Sequence, residues 1–271
     1  MSFLKTIFDF YINSSIHVAL AVYAFARMTA LYFGITYQED LDYFIFFATI
    51  SGYNFVKYAG VAKLHHMSLT KNLRVIQLFS LACFIAMCWY AYQLPIRTLL
   101  FFVPFGVLTV LYAVPFLSGF QKNLRNIGHL KILVIALIWA AVTVLLPIYH
   151  VEDPIGTNVI LLTIQRFLIV VVLILPFDIR DLKYDEISLQ TIPQKIGVPQ
   201  TKKFGLALML FAITIEFIIV PNPAFKNVYM IFFFVILVFL MRAKEAQPKY
   251  YSSFFVESIP IFWWLSLLII Q

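Results

Sequence analysis

The sequence predicts an all-α integral membrane protein, and three observations predict it. Of its 271 residues, 62% are hydrophobic and only 12% are charged, about half the charged share of a soluble domain. Apolar runs of about 17–20 residues recur along the chain, long enough to cross a bilayer as helices. Only nine Gly occur, beside abundant Leu, Ile and 29 Phe, without the alternation that barrel strands show.

Taken in order, the runs give nine transmembrane helices at 14–33, 42–60, 76–93, 97–117, 130–147, 158–177, 204–220, 227–242 and 254–270. Arg97 and Lys226 fall on one side of this arrangement, and Arg27 and Arg166 fall within spans. The remaining 16 of the 20 Lys and Arg lie on the other side. Basic residues accumulate on the cytoplasmic side of membrane proteins, so the N-terminus is expected in the cytoplasm and the C-terminus outside. The net charge of +7 then marks cytoplasmic loops, and no nucleic-acid partner is implied. Pro95, Pro154, Pro221 and Pro223 mark outer turns,. The two long inner connections, 61–75 and 178–203, are expected to cap the bundle. A single domain over 1–271 in a cytoplasmic or inner membrane is the expectation. Cys83 and Cys88 share one apolar run on different helix faces and should stay unpaired,. Residues 1–13 lack a cleavable-signal pattern.

The strongest chemical signal lies where the sixth run meets a polar loop: Asp178-Ile-Arg-Asp181-Leu-Lys-Tyr-Asp185. The spacing i, i+3, i+7 puts three acids on one helical face. Three carboxylates on one face repel unless a cation lies among them. Hard oxygen ligands suit Mg²⁺, which binds through one or two carboxylates together with substrate phosphates. A solvated acidic loop is the plain competing reading.

The same stretch, followed by Thr191-Ile-Pro193-Gln-Lys-Ile-Gly197, resembles the second aspartate-rich motif of the UbiA superfamily of intramembrane prenyltransferases. Leu111-Tyr112-Ala-Val-Pro115, with Lys122, Asn123 and Gly128, looks like the loop after that family's fourth span. The resemblance implies nine helices around a central cavity, with two aspartate motifs at its cytoplasmic mouth. It implies that Mg²⁺ held by Asp178, Asp181 and Asp185 binds a prenyl diphosphate. The prenyl group would then pass to a hydrophobic or aromatic acceptor.

The first motif departs from the pattern. Asn54 is kept, but positions 55, 58 and 62, where the family's pattern has acids, hold Phe, Tyr and Ala. The spacing persists without the carboxylates. Lys57 stands inside this altered stretch. One reading is a lysine snorkelling at a helix end; the other is a point charge on diphosphate in place of a metal. Lys122, Arg180, Asn54 and Tyr112 complete the candidate diphosphate contacts, while Tyr58 reads as packing. His65 and His66 form a loop pair without metal-ligand spacing.

Arg27, Arg166 and Glu216 fall within apolar spans, about 18 Å from the cytoplasmic ends at 1.5 Å per residue. Charges there should face the interior and find partners. Arg166 is expected to pair with Glu216, with Arg27 nearby or turned to an acceptor or lipid headgroup. As to function, Mg²⁺-assisted prenyl transfer leads. A non-catalytic prenyl-lipid-binding relative or membrane partner subunit stands beside it. A small transporter is disfavoured, because no matching pair of broken spans appears.

Overall fold

The computed structural model describes residues 3–58, 71–114, 130–183, 190–219 and 222–270. Lys122, Asp185, His65, His66 and Pro115 lie outside them, as do residues 61–70 and 184–189 of the two connections that were expected to cap the bundle; residues 71–75, 178–181 and 192–203 of those connections are helical instead. All regular structure among the described residues is helical. A short amphipathic helix, α1 (Phe3–Asn13), precedes α2 (Ile16–Phe33), α3 (Glu39–Tyr58), α4 (Lys71–Gln93) and α5 (Ile96–Ala113). One long rod follows, made of α6 (Leu130–Ala140), a π turn (Ala141–Leu145) and α7 (Leu146–His150). Then come α8 (Thr157–Asp181), α9 (Ile192–Ile219) and α10 (Pro223–Arg242). The last rod is a π turn (Tyr251–Val256) leading into α11 (Ile259–Ile270).

The described part of each of the nine expected spans overlaps a helix or rod. Seven are long and apolar enough to cross a membrane: Ile16–Phe33, Leu73–Gln93, Ile96–Ala113, Leu130–His150, Thr157–Asp181, Pro223–Arg242 and Tyr251–Ile270. The chain is a multi-pass integral membrane protein. α3 and α9 fall short for identifiable reasons. α3 opens on Glu39, Asp40 and Asp42 and carries Ser51, Tyr53, Asn54 and Lys57. The last 18 residues of α9 include Lys202, Lys203 and Glu216.

Most neighbouring helices pack in sequence, α4 and α5 each pack against α3, and α11 closes the ring by packing against α2. α2, the α6–α7 rod and α8 are the most buried; α4 and α5 are mostly exposed. An aromatic stack lines the interior, with Trp263 parallel to Phe232 at 5.4 Å and edge-on to Tyr229 at 5.2 Å.

α2 also reaches across the ring to the π turn, and a proline explains the contact. Pro147 has no N–H to offer the Thr143 carbonyl one helical turn earlier. The register shifts instead, and the Leu146 N–H reaches back to the Ala141 carbonyl. The orphaned Thr143 carbonyl accepts a 2.7 Å hydrogen bond from the Thr29 hydroxyl of α2, as a buried backbone acceptor requires. The centre of the ring is therefore bridged at this level.

Two features shape the end of the bundle that carries Asp178. At Gly197, α9 kinks with φ 76° and ψ 160°, a backbone conformation that only glycine adopts readily. The glycine of the Thr191–Gly197 stretch is therefore required by the backbone. Further along, Gly205 lets α9 approach its neighbours: a Cβ there would lie 2.5 Å from a Leu240 methyl and 2.9 Å from a Leu175 methyl.

Gly205→Leu should therefore overpack the α8–α9–α10 seam and cost about 1–3 kcal/mol. Thermal unfolding in detergent measures this, and an unchanged midpoint would show that the seam is looser than described.

Candidate functional site

Asp178 and Asp181 lie one turn apart in the last turn of α8. Carboxylates there oppose the negative end of the helix dipole, so each requires a cation. Lys131, at the start of α6, places its Nζ 3.0 Å from Asp178, which is fully buried. Arg180 binds Asp181 with two hydrogen bonds, Nε at 2.8 Å and Nη2 at 3.1 Å. Its guanidinium also lies over the Phe177 ring at 5.3 Å. Asp181 remains partly exposed, at 29%. The expectation of acids gathered on one face is thus met by position for these two, but each already holds a basic side chain. Asp185 and Lys122 fall outside the described residues. Among those residues no group of three or more His, Cys, Asp or Glu forms a metal cage.

The remnant of the first motif is turned to a different use. Asn54 is buried, and its amide donates to the Ser14 carbonyl at 2.9 Å and to the Ser80 hydroxyl at 2.8 Å. Its carbonyl accepts from the Ser15 hydroxyl at 2.8 Å. Lys57 donates to that same hydroxyl, also at 2.8 Å. Ser15 sits in the left-handed region with φ 65°, a conformation that a non-glycine residue holds only where its surroundings impose it. Asn54 and Lys57 impose it, and so set the corner between α1 and α2. Tyr58 adds a 3.1 Å bond to the Asn13 carbonyl, in line with a packing role.

Further groups converge here that sequence reasoning did not single out. His17 lies 2.7 Å from the Tyr11 hydroxyl, 2.9 Å from the Phe254 carbonyl and 3.1 Å from the Ser258 hydroxyl. Tyr53 accepts from Trp139 at 2.8 Å; Tyr112, which the sequence did single out, is buried on α5. Glu257 lies just after the second π turn, within electrostatic range of Lys57 and Arg180. A lone acid in the ninth apolar run was the available signal for Glu257. Lys131 carried no signal beyond its place among the inner basic residues. Nearby, Asp9 of α1 is bound by Lys249 and Tyr250, which hold its carboxyl below the ordinary value of 3.8. An open, apolar groove of about 660 Å³ lies beside this clasp, lined by Leu4, Lys5, Ile7, Phe8, Tyr11 and Tyr250.

The intramembrane charges are partnered differently from the expected scheme. Glu216 accepts from Gln165 at 2.8 Å and from the Tyr32 hydroxyl at 3.0 Å. Arg166 donates to the Phe25 carbonyl at 2.8 Å and lies 4.1 Å over the Phe25 ring. The two ionic groups feel each other's charge, but neutral groups supply their contacts. Arg27 is not part of this network: it pairs with Asp42 at 3.0 Å and covers the Tyr37 ring. Asp42 begins the neighbouring antiparallel helix and lies closer than Glu216.

Neither a protein-family model nor a curated protein matches this chain in sequence. A solved structure of a digeranylgeranylglyceryl phosphate synthase in membranes is similar over 98% of both chains, with a TM-score of 0.59 and 14% identity. At that identity the likeness is one of fold. The chain shares the fold of that synthase, in agreement with the resemblance carried by the Asp178 stretch.

Removing Lys131 tests the pairing that this site imposes. Lys131→Met should cost about 3 kcal/mol, because it leaves a buried carboxylate without its cation. The double variant Lys131→Met/Asp178→Leu should recover most of that loss in thermal unfolding. Equal stability of all three proteins would contradict the ion pair.

Proposed function

We propose that the protein transfers a prenyl group from a prenyl diphosphate to a hydrophobic or aromatic acceptor, with Mg²⁺ assistance at the Asp178 end of the bundle. The observation that carries this reading is the convergence of Asp178, Asp181, Arg180 and Lys57 at one end of a fold shared with a prenyl-transferring synthase. We place that end in the cytoplasm, on the distribution of Lys and Arg, with nine spans crossing the membrane and the C-terminus outside.

The residues present fit a reduced metal site. Partly exposed Asp181 supplies hard oxygen at the helix end, and Asp178 and Asp185 supply the rest of the acidic stretch. One Mg²⁺ held through one or two carboxylates and substrate phosphates suits such a donor set. Bound there, Mg²⁺ would neutralise charge that builds on the leaving oxygen. The second cationic side comes from the protein itself. Lys57 and Arg180, with Lys122 from the adjoining loop, bind the diphosphate as fixed positive charges. Asn54 positions Lys57 through Ser15, and Tyr112 is a further candidate contact. Aromatic walls keep water from the allylic cation and stabilise it through their faces.

A second reading is favoured by a specific observation: both described carboxylates already hold basic side chains, and the first motif lacks its acids. In that reading the protein binds a prenyl lipid without turning it over, or serves as a membrane partner subunit.

Purified protein should release diphosphate from a prenyl diphosphate only with Mg²⁺ and acceptor present. Asp181→Ala should reduce release at least about a hundredfold, the scale of losing one preorganised electrostatic group. Lys57→Ala should weaken diphosphate binding. Binding without release would establish the second reading, and unchanged binding in Lys57→Ala would remove that residue from the site.

A further inference from the structure

α1 is too short to cross a bilayer. Its eleven residues rise about 16 Å, roughly half the thickness of a hydrocarbon core. The left-handed corner at Ser15 sets it off from α2, and two contacts fix it at the end of the bundle that carries Asp178. Asp9 is held by the Lys249 ammonium and, at 2.7 Å, by the Tyr250 hydroxyl. Gln247, in the same connection as Lys249, donates to the Pro176 carbonyl at 2.8 Å, two residues before Asp178. Along α1, Leu4, Ile7, Phe8 and Tyr11 recur at i, i+3, i+4 and i+7, which puts them on one face. That face, with Lys5 and Tyr250, lines the open groove of about 660 Å³. Leu4 is 76% exposed and Ile7 49%, and a contiguous apolar face left so open marks an interaction surface.

Three observations select lipid as what covers it. The face is continuous with exposed apolar surface on both flanks. Phe10 packs edge-on to Phe79 at 5.5 Å, on α4, whose Val75 and Leu78 are exposed. Phe8 packs edge-on to Phe254 at 4.9 Å, beside exposed Phe255. Next, of the six residues that line the groove, Lys5 alone carries a charge, and it is exposed. Finally, Asp9 is the one acid of α1, and Lys249 and Tyr250 take up its carboxylate, which leaves Lys5 to set the sign of the groove. A short helix with an apolar face and a basic residue lies in the membrane interface, its apolar face against acyl chains and its base against anionic headgroups.

We propose that this groove is a phospholipid site: an acyl chain of an anionic lipid lies along Leu4, Ile7 and Phe8, and Lys5 meets the lipid phosphate. The bound lipid covers the apolar face of α1 and braces the Asp9 clasp that ties α1 to the segment before the last rod. The site lies outside the diphosphate chemistry proposed above and does not depend on it.

Fluorescence quenching of the purified full-length protein in phosphatidylcholine vesicles tests it. A bimane label on Phe3→Cys, in a Cys88→Ser background where Cys83 is buried, reports on the groove without altering its lining. Phosphatidylglycerol with brominated acyl chains should quench the label about fivefold more effectively, per lipid added, than brominated phosphatidylcholine. That ratio corresponds to about 1 kcal/mol for one basic residue near an anionic surface. Lys5→Glu, at an exposed position, should abolish the preference while quenching by brominated phosphatidylcholine persists, and Ile7→Asp should lower quenching by both lipids. Equal quenching by the two lipids in the parent protein would mean a non-specific lipid shell and overturns the proposal. Quenching by neither would mean that protein, a second copy or another segment of this chain, covers the groove, and overturns it as well. A preference that survives Lys5→Glu would do the same.

Discussion

A charge or an unpaired backbone group inside a bilayer must find a partner within the protein, because no water is there to supply one. This constraint organises the molecule. Asp178 is tolerable because Lys131 meets it from the next rod. Arg27 is tolerable because Asp42 meets it from the antiparallel neighbour. Glu216 and Arg166 are satisfied mainly by neutral groups, an amide, a hydroxyl, a carbonyl and a ring face. The same rule acts on the backbone at Pro147, where one missing N–H is answered by a π turn and by the Thr29 hydroxyl of another helix.

These pairings divide the bundle by depth. Mid-span charges are consumed in interhelical locks, and the α2 contact with the π turn bridges the ring at that level. Near the Asp178 end the charges are not fully covered by their partners: Asp181 and Arg180 remain partly exposed. Lys57 donates to the Ser15 hydroxyl. That difference separates charges that hold helices together from charges able to meet an anion. It also gives the altered first motif a use, since its Asn and Lys fix the α1–α2 corner on which Tyr11 and His17 are mounted.

Much of the fold was legible because bilayer thickness imposes apolar runs, and the described part of each run overlaps a helix or rod. Helix ends were less legible, because polar turns extend beyond the apolar stretch. α4 begins at Lys71, before the run at 76–93, and α9 begins at Ile192, before the run at 204–220 and across the Gly197 kink. The acidic stretch at 178–185 was legible from spacing, and the helix carries Asp178 and Asp181 as expected. The partners were not. Which Lys meets Asp178, or which acid meets Arg27, depends on which rods touch, and helical periodicity carries no record of that.

The central claim is that the Asp178 end is a diphosphate site in which the acidic stretch holds metal and Lys57 and Arg180 hold the anion. The most direct measurement is an experimental structure with Mn²⁺ in place of Mg²⁺ and a non-hydrolysable prenyl diphosphate analogue, using anomalous scattering to place the metal. The account predicts metal on the Asp178–Asp185 stretch, and the diphosphate against Lys57 and Arg180. Metal absent from that stretch, or a diphosphate bound at another end of the bundle, would contradict it.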